Sequence, residues 1–473
     1  MRPVYVWAAL VGSATASAQP QPTAPGPAPA ATVIRANPDN YLDALRHLRP
    51  GDTLLLEPGR YGVDAAGQDT ARPPGLPIFG LHGQASAPIT ITGPDSGPLP
   101  VLLGRPGFNT VRIGESSHVV IRNLEVDNRD LGANGVVAQG PTHDITLENL
   151  SIRGVGDDQS TVAIAVNRAP AWQWTVRCNR IAGAGTGMYF GNSDGRNPFV
   201  AGLIEHNVVL DTIGYNVEVK HQREWGAMPA GMPVDRRVTV IRHNIFSKRS
   251  DVTSAAGARP NLLVGDQPPS GPGSQNGFEI YGNFFYENPL ETLFQGEGNI
   301  AFHDNLLVNT RGDAVRIQPH NGAVRTVHLF SNTVVARDTG ILVKDGQPGS
   351  VQRVVGNAVF AAEPVRVLGA DASEHDNVTG STDSAARHLR QPHASPGELD
   401  LRPKPGRLTG RELNTVRADL RHYTDWDRSF DGALRDWRSR GAYSPAANGG
   451  DWLPQLEIKP PPSGARAPTS CRR

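Results

Sequence analysis

Two cysteines, five lysines against forty-one arginines, and 6% aromatic residues are what this 473-residue chain has least of. Two cysteines cannot build a disulfide framework. Cys178 falls in a predicted strand and reads as a small core residue, whereas Cys471 sits among the last three residues, on what should be a tail. A bond between them is open in an oxidising compartment without being required. Basic and acidic residues balance at 46 each, so nothing global attracts nucleic acid, and an anionic partner would need a local basic site. No segment approaches the roughly 20 apolar residues of a membrane span. A Walker-type loop, a His-x-x-x-His pair and a cysteine cluster for zinc are all missing. Paired carboxylates at hydrolase spacing are not obvious either; Glu297 and Asp266 are the two such chemistry would have to use.

What the chain has is glycine, proline, valine and asparagine, a composition for strands and turns. Arg2, the apolar residues 4–12 and Ala16-Ser17-Ala18 read as a secretory signal (1–18), so a secreted or periplasmic protein is expected. Residues 19–32 read as a Pro/Ala-rich linker. Beyond them an asparagine returns in short apolar strands: Asn123, Asn149, Asn179, Asn207, Asn244, Asn283, Asn305, Asn332 and Asn357, with Asn377 a tenth candidate. The spacing of about 22 to 39 residues is that of a solenoid. Each asparagine suits a tight bend, tolerating left-handed backbone angles while its amide bonds the equivalent group one coil away.

Between the asparagines runs a second strand of strict alternation, so each repeat is strand, bend, strand, loop. One unit cannot bury its apolar face alone, but parallel stacking makes a continuous core. The fold class expected is all-β, a solenoid of parallel coils over residues 33–380, which the resemblance given below implies is a right-handed parallel β-helix. A helical cap is predicted within residues 39–62, and a C-terminal extension, 381–473, packs on the coils or trails from them. Alternation predicts inward pairs Met188/Phe190, Val217/Val219, Leu262/Val264, Thr292/Phe294, Val315/Ile317 and Ile341/Val343. The outward positions then stack as Tyr189, Glu218, Leu263, Leu293, Arg316 and Leu342. Beside them run Gly191, Lys220, Gly265, Gln295, Gln318 and Lys344.

That outward face collects charge. A lysine serves as a base when burial or neighbouring positive charge lowers its pKa. Lys220 is the candidate, with Arg223, Arg259 or Arg316 to lower it and clamp a carboxylate, and His221 or His320 as acid. Glu218 argues both ways, spoiling the lysine as a free carboxylate but not as a metal ligand. Trp225, in the loop after this strand, either stacks on a sugar or packs the loop down. Gln295, Glu297, Gln318 and His320 complete a groove for a polar chain. The bland alternative is an exposed Glu218–Lys220 pair contributing under about 1 kcal/mol.

The cap "PGDTLLLEPGRYG", the following "APITITG" and the asparagine-marked coils resemble the pectate-lyase-like superfamily of right-handed parallel β-helices. The nearest branch is the chondroitinase B and alginate lyase family of polysaccharide lyases. "DGALRDWRSRGAY" also resembles a C-terminal signature of exported bacterial β-helix proteins. The resemblance implies a calcium ion held by Asn and Glu side chains, which here falls on Asn192 and Glu218, and a lysine base, which falls on Lys220. The family's arginine is not matched: Leu263 stands at the aligned position, and Arg259 lies four residues earlier. The implied activity is β-elimination on an acidic, uronate-containing polysaccharide by a monomer. The alternatives are a non-catalytic carbohydrate-binding β-helix and a β-helical glycoside hydrolase.

Overall fold

The structure, a computed structural model, describes residues 31–62, 75–156, 158–248, 258–369, 371–444, 452–461 and 471. The expected signal and residues 19–30 of the linker lie outside the described residues. Alternating apolar residues do what the period requires: they line a single interior, and successive coils pair strand on strand in parallel. The chain is a right-handed parallel β-helix. One sheet holds 11 parallel strands, from Leu76–Phe79 to Glu363–Leu368. Two further columns of parallel strands meet in the 12-residue strands Ser116–Asp127 and Thr142–Arg153 as these bend at Asn123 and Asn149, and Leu389–Gln391 pairs antiparallel with Asp400–Pro403 outside the coils.

The 11-stranded sheet positions the candidate site, and its register is unbroken. Met188, Val217, Leu262, Phe294, Val315 and Ile341 stack inward; Tyr189, Glu218, Leu263, Gln295, Arg316 and Leu342 stack outward. The expected Thr292/Phe294 rung is therefore wrong by two residues. Phe294 pairs with Leu262 and Gly296 with Val264, so the inward pair is Phe294/Gly296. At Gly296 a Cβ would lie 2.6 Å from Ile300 Cδ1 and 2.9 Å from the Phe294 ring, which is why a glycine occupies an inward place. A hydrophobic pattern cannot register a residue without a side chain. As a result Gln295 joins the Glu218 column. Glu297 joins the Lys220 column, its amide donating to Val264 O while that of Gly265 donates to Val219 O.

The asparagines form the expected ladder. From Asn179 to Asn377, each Nδ2 donates to Oδ1 of the next asparagine at 2.9–3.1 Å. The same oxygen also accepts the preceding asparagine's backbone N–H. Most of these side chains are fully buried. The left-handed residue differs from expectation. Asn123 and Asn149 adopt positive φ themselves, but later coils place it one residue earlier, at Cys178, His206, His243, Gly282, Asp304, Ser331, Gly356 and Asp376. That shift frees the asparagine to point inward.

A short helix, Tyr41–Leu45, covers the first coil through buried Tyr41 and Leu45. The last strand of the stack is Val378–Gly380, and the chain then returns along the outside. Leu399, Leu401, Phe430 and Tyr443 pack on outward Val208, Ile245, Phe284 and Leu306. Leu413, Leu420, Tyr423 and Trp437 cover Ala301, Phe330 and Val355. Arg435 pairs with Asp304 in this buried contact, and Lys459 Nζ donates to Gly282 O at 2.8 Å and Phe430 O at 2.7 Å. Cys178 and Cys471 are joined as a disulfide, Cα to Cα 5.2 Å, so Cys178 is more than a core residue and Cys471 is tied to the coils.

Candidate functional site

The strand Val217–Val219 buries its two valines in the core and turns Glu218 to the outer face. Glu218 is nevertheless only 1% exposed, and Lys220 Nζ sits 2.6 Å from its Oε1. Burial pushes the Glu218 carboxyl up, and the charges of Lys220, Arg259 and His320 pull it back down. Tyr189, one coil before, lies under the ammonium at 5.4 Å from ring centroid to Nζ. Burial, reinforced by Glu218, raises the phenols of Tyr189 and Tyr215, so both stay protonated. The pair is thus no loose surface contact, as the bland alternative had it, but a buried carboxylate compensated by one lysine.

Two glycines let neighbouring coils approach closely beside it. A side chain at Gly265 would come 2.2 Å from His221 N, and one at Gly191 would meet Lys220 Cβ at 3.3 Å. The next residue, His221, lines a pocket of about 870 Å³ together with Arg196, Gln222, Arg223, Asp266 and Asn321, among others. Burial lowers the His221 imidazole; Glu297 opposes this, and Lys220 and Arg223 add to it. It is therefore neutral near pH 7. Asp266, raised by burial, is held by Arg325 Nε at 2.8 Å and by the Ala323 N–H.

Arg259 acts on Glu218 from its loop, with Cζ 6.0 Å from the Tyr215 ring centroid. Its carbonyl accepts from Lys248 Nζ at 2.8 Å and from Asn288 Nδ2 at 2.9 Å. Lys248 is fully buried, and burial with Arg259 brings it down to about 7. Neither Lys248 nor Arg196 was among the expected site residues. The scarcity of lysine was the one signal available for the first, and no periodicity marks the second.

The other expected residues divide. Arg316 lies three coils from Glu218, roughly 14 Å at ~4.8 Å per coil. Leu263 and Gln295 intervene, and Arg316 pairs with Asp313 at 2.5 Å and Glu291 at 3.6 Å. Buried Glu297 accepts N–H groups from His320 (2.7 Å), Asn321 (3.0 Å) and Gly322 (3.0 Å), so it holds the loop that walls the pocket. His320 is exposed on that loop, Gln318 is half-buried and Gln295 is buried. Arg223 is exposed at the pocket mouth. Trp225 Nε1 donates to Gln222 Oε1 at 3.1 Å, and its ring packs on Trp172, Val200 and Met232. It pins the loop to the coils.

Asn192 Oδ1 accepts the Asp194 N–H at 2.9 Å, closing a turn whose Gly195 carbonyl receives Arg223 N. Calcium takes six to eight oxygen ligands. Here Glu218 already carries the Lys220 ammonium and Asn192 serves its own turn. These residues do not fit a calcium ion.

No family model and no curated protein matches this sequence. Among solved structures, pectate lyase Pel9A is similar over 89% of this chain and 91% of its own, at 13% identity and TM-score 0.46. An alginate lyase from Paenibacillus sp. str. FPU-7 matches 74% of this chain and 95% of its own, at 15% identity and TM-score 0.36. The PL6 family alginate lyase AlyGC matches 80% of this chain and 56% of its own, at 13% identity and TM-score 0.43. Likeness at this level concerns the coil architecture alone.

Proposed function

We propose that this chain is a secreted polysaccharide lyase that cleaves an acidic, uronate-containing polysaccharide by β-elimination. The supporting observation is a single juxtaposition: the buried Glu218–Lys220 ion pair stands beside a pocket where a neutral His221 faces Arg196 and Arg223. Arg196 and Arg223 neutralise the uronate carboxylate, which lowers the barrier to removing the α proton. His221 accepts that proton. The electron pair forms the carbon–carbon double bond, the bond to the β oxygen breaks, and the Lys220 ammonium gives the leaving oxygen its proton. These roles invert the expectation that Lys220 is the base, because a lysine paired with a buried carboxylate is a donor. Secretion is supported by residues 1–18 and by a disulfide, a bond that persists outside reducing compartments. No step passes through calcium.

Incubation with alginate, pectate and chondroitin, followed by ultraviolet absorbance of the unsaturated uronate, tests this. His221→Ala and Lys220→Ala should each lower the rate at least about 100-fold, the scale of a lost general acid or base, and chelator should leave it unchanged. If Lys220→Ala abolishes turnover while His221→Ala does not, the lysine is the base after all. New reducing ends without absorbance would instead mean hydrolysis. Binding with neither signal would make the chain a carbohydrate-binding module.

A further inference from the structure

Away from this pocket, one group of side chains among the described residues is arranged as a ligand set. His118, His143 and Asp144 come from two adjacent coils and place three donor atoms within 4.8 Å of one another. His143 Nδ1 lies 2.7 Å from Asp144 Oδ2, and His118 Nε2 reaches the same oxygen at 3.8 Å. A histidine–aspartate hydrogen bond accounts for the first contact but not for a second imidazole brought to the same carboxylate. The two distances bracket the edge of about 3.4 Å that a tetrahedral ion with bonds of about 2.1 Å needs.

The coil geometry explains how the set is built. Ser117, His143, Trp172 and Val200 stack in parallel register at the start of neighbouring coils. The residue after each, His118, Asp144, Gln173 and Ala201, takes a left-handed conformation. That bend recurs where Gln173 and Ala201 offer no metal donor, so it does not itself call for two histidines and an aspartate. The His143 ring stacks flat on Trp172, centroids 4.6 Å apart and planes 9° apart, which fixes the direction of its donor nitrogen. The side chains keep 25%, 33% and 29% of their surface exposed, so an ion can enter and water can fill the remaining position.

The geometry points to a binding site for one divalent transition-metal ion, zinc by its donor set, held by His118, His143 and Asp144 with a coordination position open to water. Imidazole nitrogens favour zinc over calcium or magnesium. The ion neutralises the carboxylate and ties two coils together. Through Trp172, which also packs against Trp225 and Met232, it braces the loop walling the large pocket.

Tag-free protein, stripped with chelator and titrated with Zn2+ alone by calorimetry, should bind one ion per chain with a Kd of micromolar or tighter, and Ca2+ should not compete. His118→Ala and His143→Ala should each weaken binding at least ten-fold, and Co2+ at the site should give the visible spectrum of a four- or five-coordinate ion. Metal-free variants are checked for an unchanged thermal midpoint; Gln replaces Ala wherever the alanine variant does not fold. Absence of saturable Zn2+ uptake, or unchanged uptake in the His118→Ala/His143→Ala double variant, overturns the proposal.

Discussion

In the bend of each coil the same residue returns, whereas on the outward face of the 11-stranded sheet neighbouring coils hardly repeat. The ladder column is asparagine from coil to coil; the groove column runs Ala165, Tyr189, Glu218, Leu263, Gln295, Arg316. Both columns rest on the same scaffold with the same spacing. The difference lies in what a side chain must satisfy. A buried amide between two coils has to match the coils above and below, so one solution repeats. An outward side chain answers only to its lateral neighbours and to whatever enters the groove, so the column is free to specialise. Repetition marks the fold, and the column that does not repeat carries the candidate site.

The comparison breaks most readily in the ladder. Asn244→Ala removes two donated and two accepted hydrogen bonds and leaves the buried Asn207 backbone N–H without a partner, while Asn283 Oδ1 keeps the residue-244 backbone N–H and Asn207 Nδ2 keeps Val176 O. Denaturant titration should show a loss of roughly 3–5 kcal/mol, from four lost hydrogen bonds at about 0.5–1.5 kcal/mol each and one orphaned N–H. Acid comes next. His206 and His328 are depressed to about 4 by burial, His206 Nδ1 donating to Lys459 O and His328 Nδ1 bonded to the Tyr423 hydroxyl, both under the C-terminal extension. Above pH ~6.5 folded and unfolded chains are both neutral there. As pH falls from about 6.5 to about 4, only the unfolded chain takes up protons, so stability should drop by on the order of 3 kcal/mol per histidine. His328→Gln should flatten that slope in pH-dependent melting.

In the groove the effects are smaller. Lys220→Ala strands a buried carboxylate and should destabilise by about 1–3 kcal/mol, less than for a fully buried pair because the lysine keeps some exposure. Adding Glu218→Leu should recover most of that loss in thermal melts while leaving turnover abolished, which separates the pair's structural role from its chemistry. Arg316→Ala should change stability by under about 1 kcal/mol, since its partners Asp313 and Glu291 are solvent-accessible. The same variant should leave the rate on a short uronate oligomer within about two-fold, a comparison of initial rates with wild type.

Much of this is legible in the sequence. The asparagines announced the coils, and strict alternation put Glu218 and Lys220 together. What escaped was residue-specific. Gly296 hid a rung because it has no apolar group to register. Glu297 looked like a free outward acid because its partners are backbone N–H groups 23 to 25 residues later. Lys248 reads as a charge at a strand end, and only its burial under the Arg259 carbonyl shows that it anchors a loop. The Cys178–Cys471 bond spans 293 residues, beyond any local pattern.

The amino-acid sequence by itself determined the solenoid, because each coil contacts mainly the next and the period of those contacts is written directly in residue order. Only the tertiary structure decided which charges meet. Whether Lys220 faces a carboxylate, an arginine or water depends on the register of several coils and on the loops folded over them. A ten-residue pattern holds none of those distances.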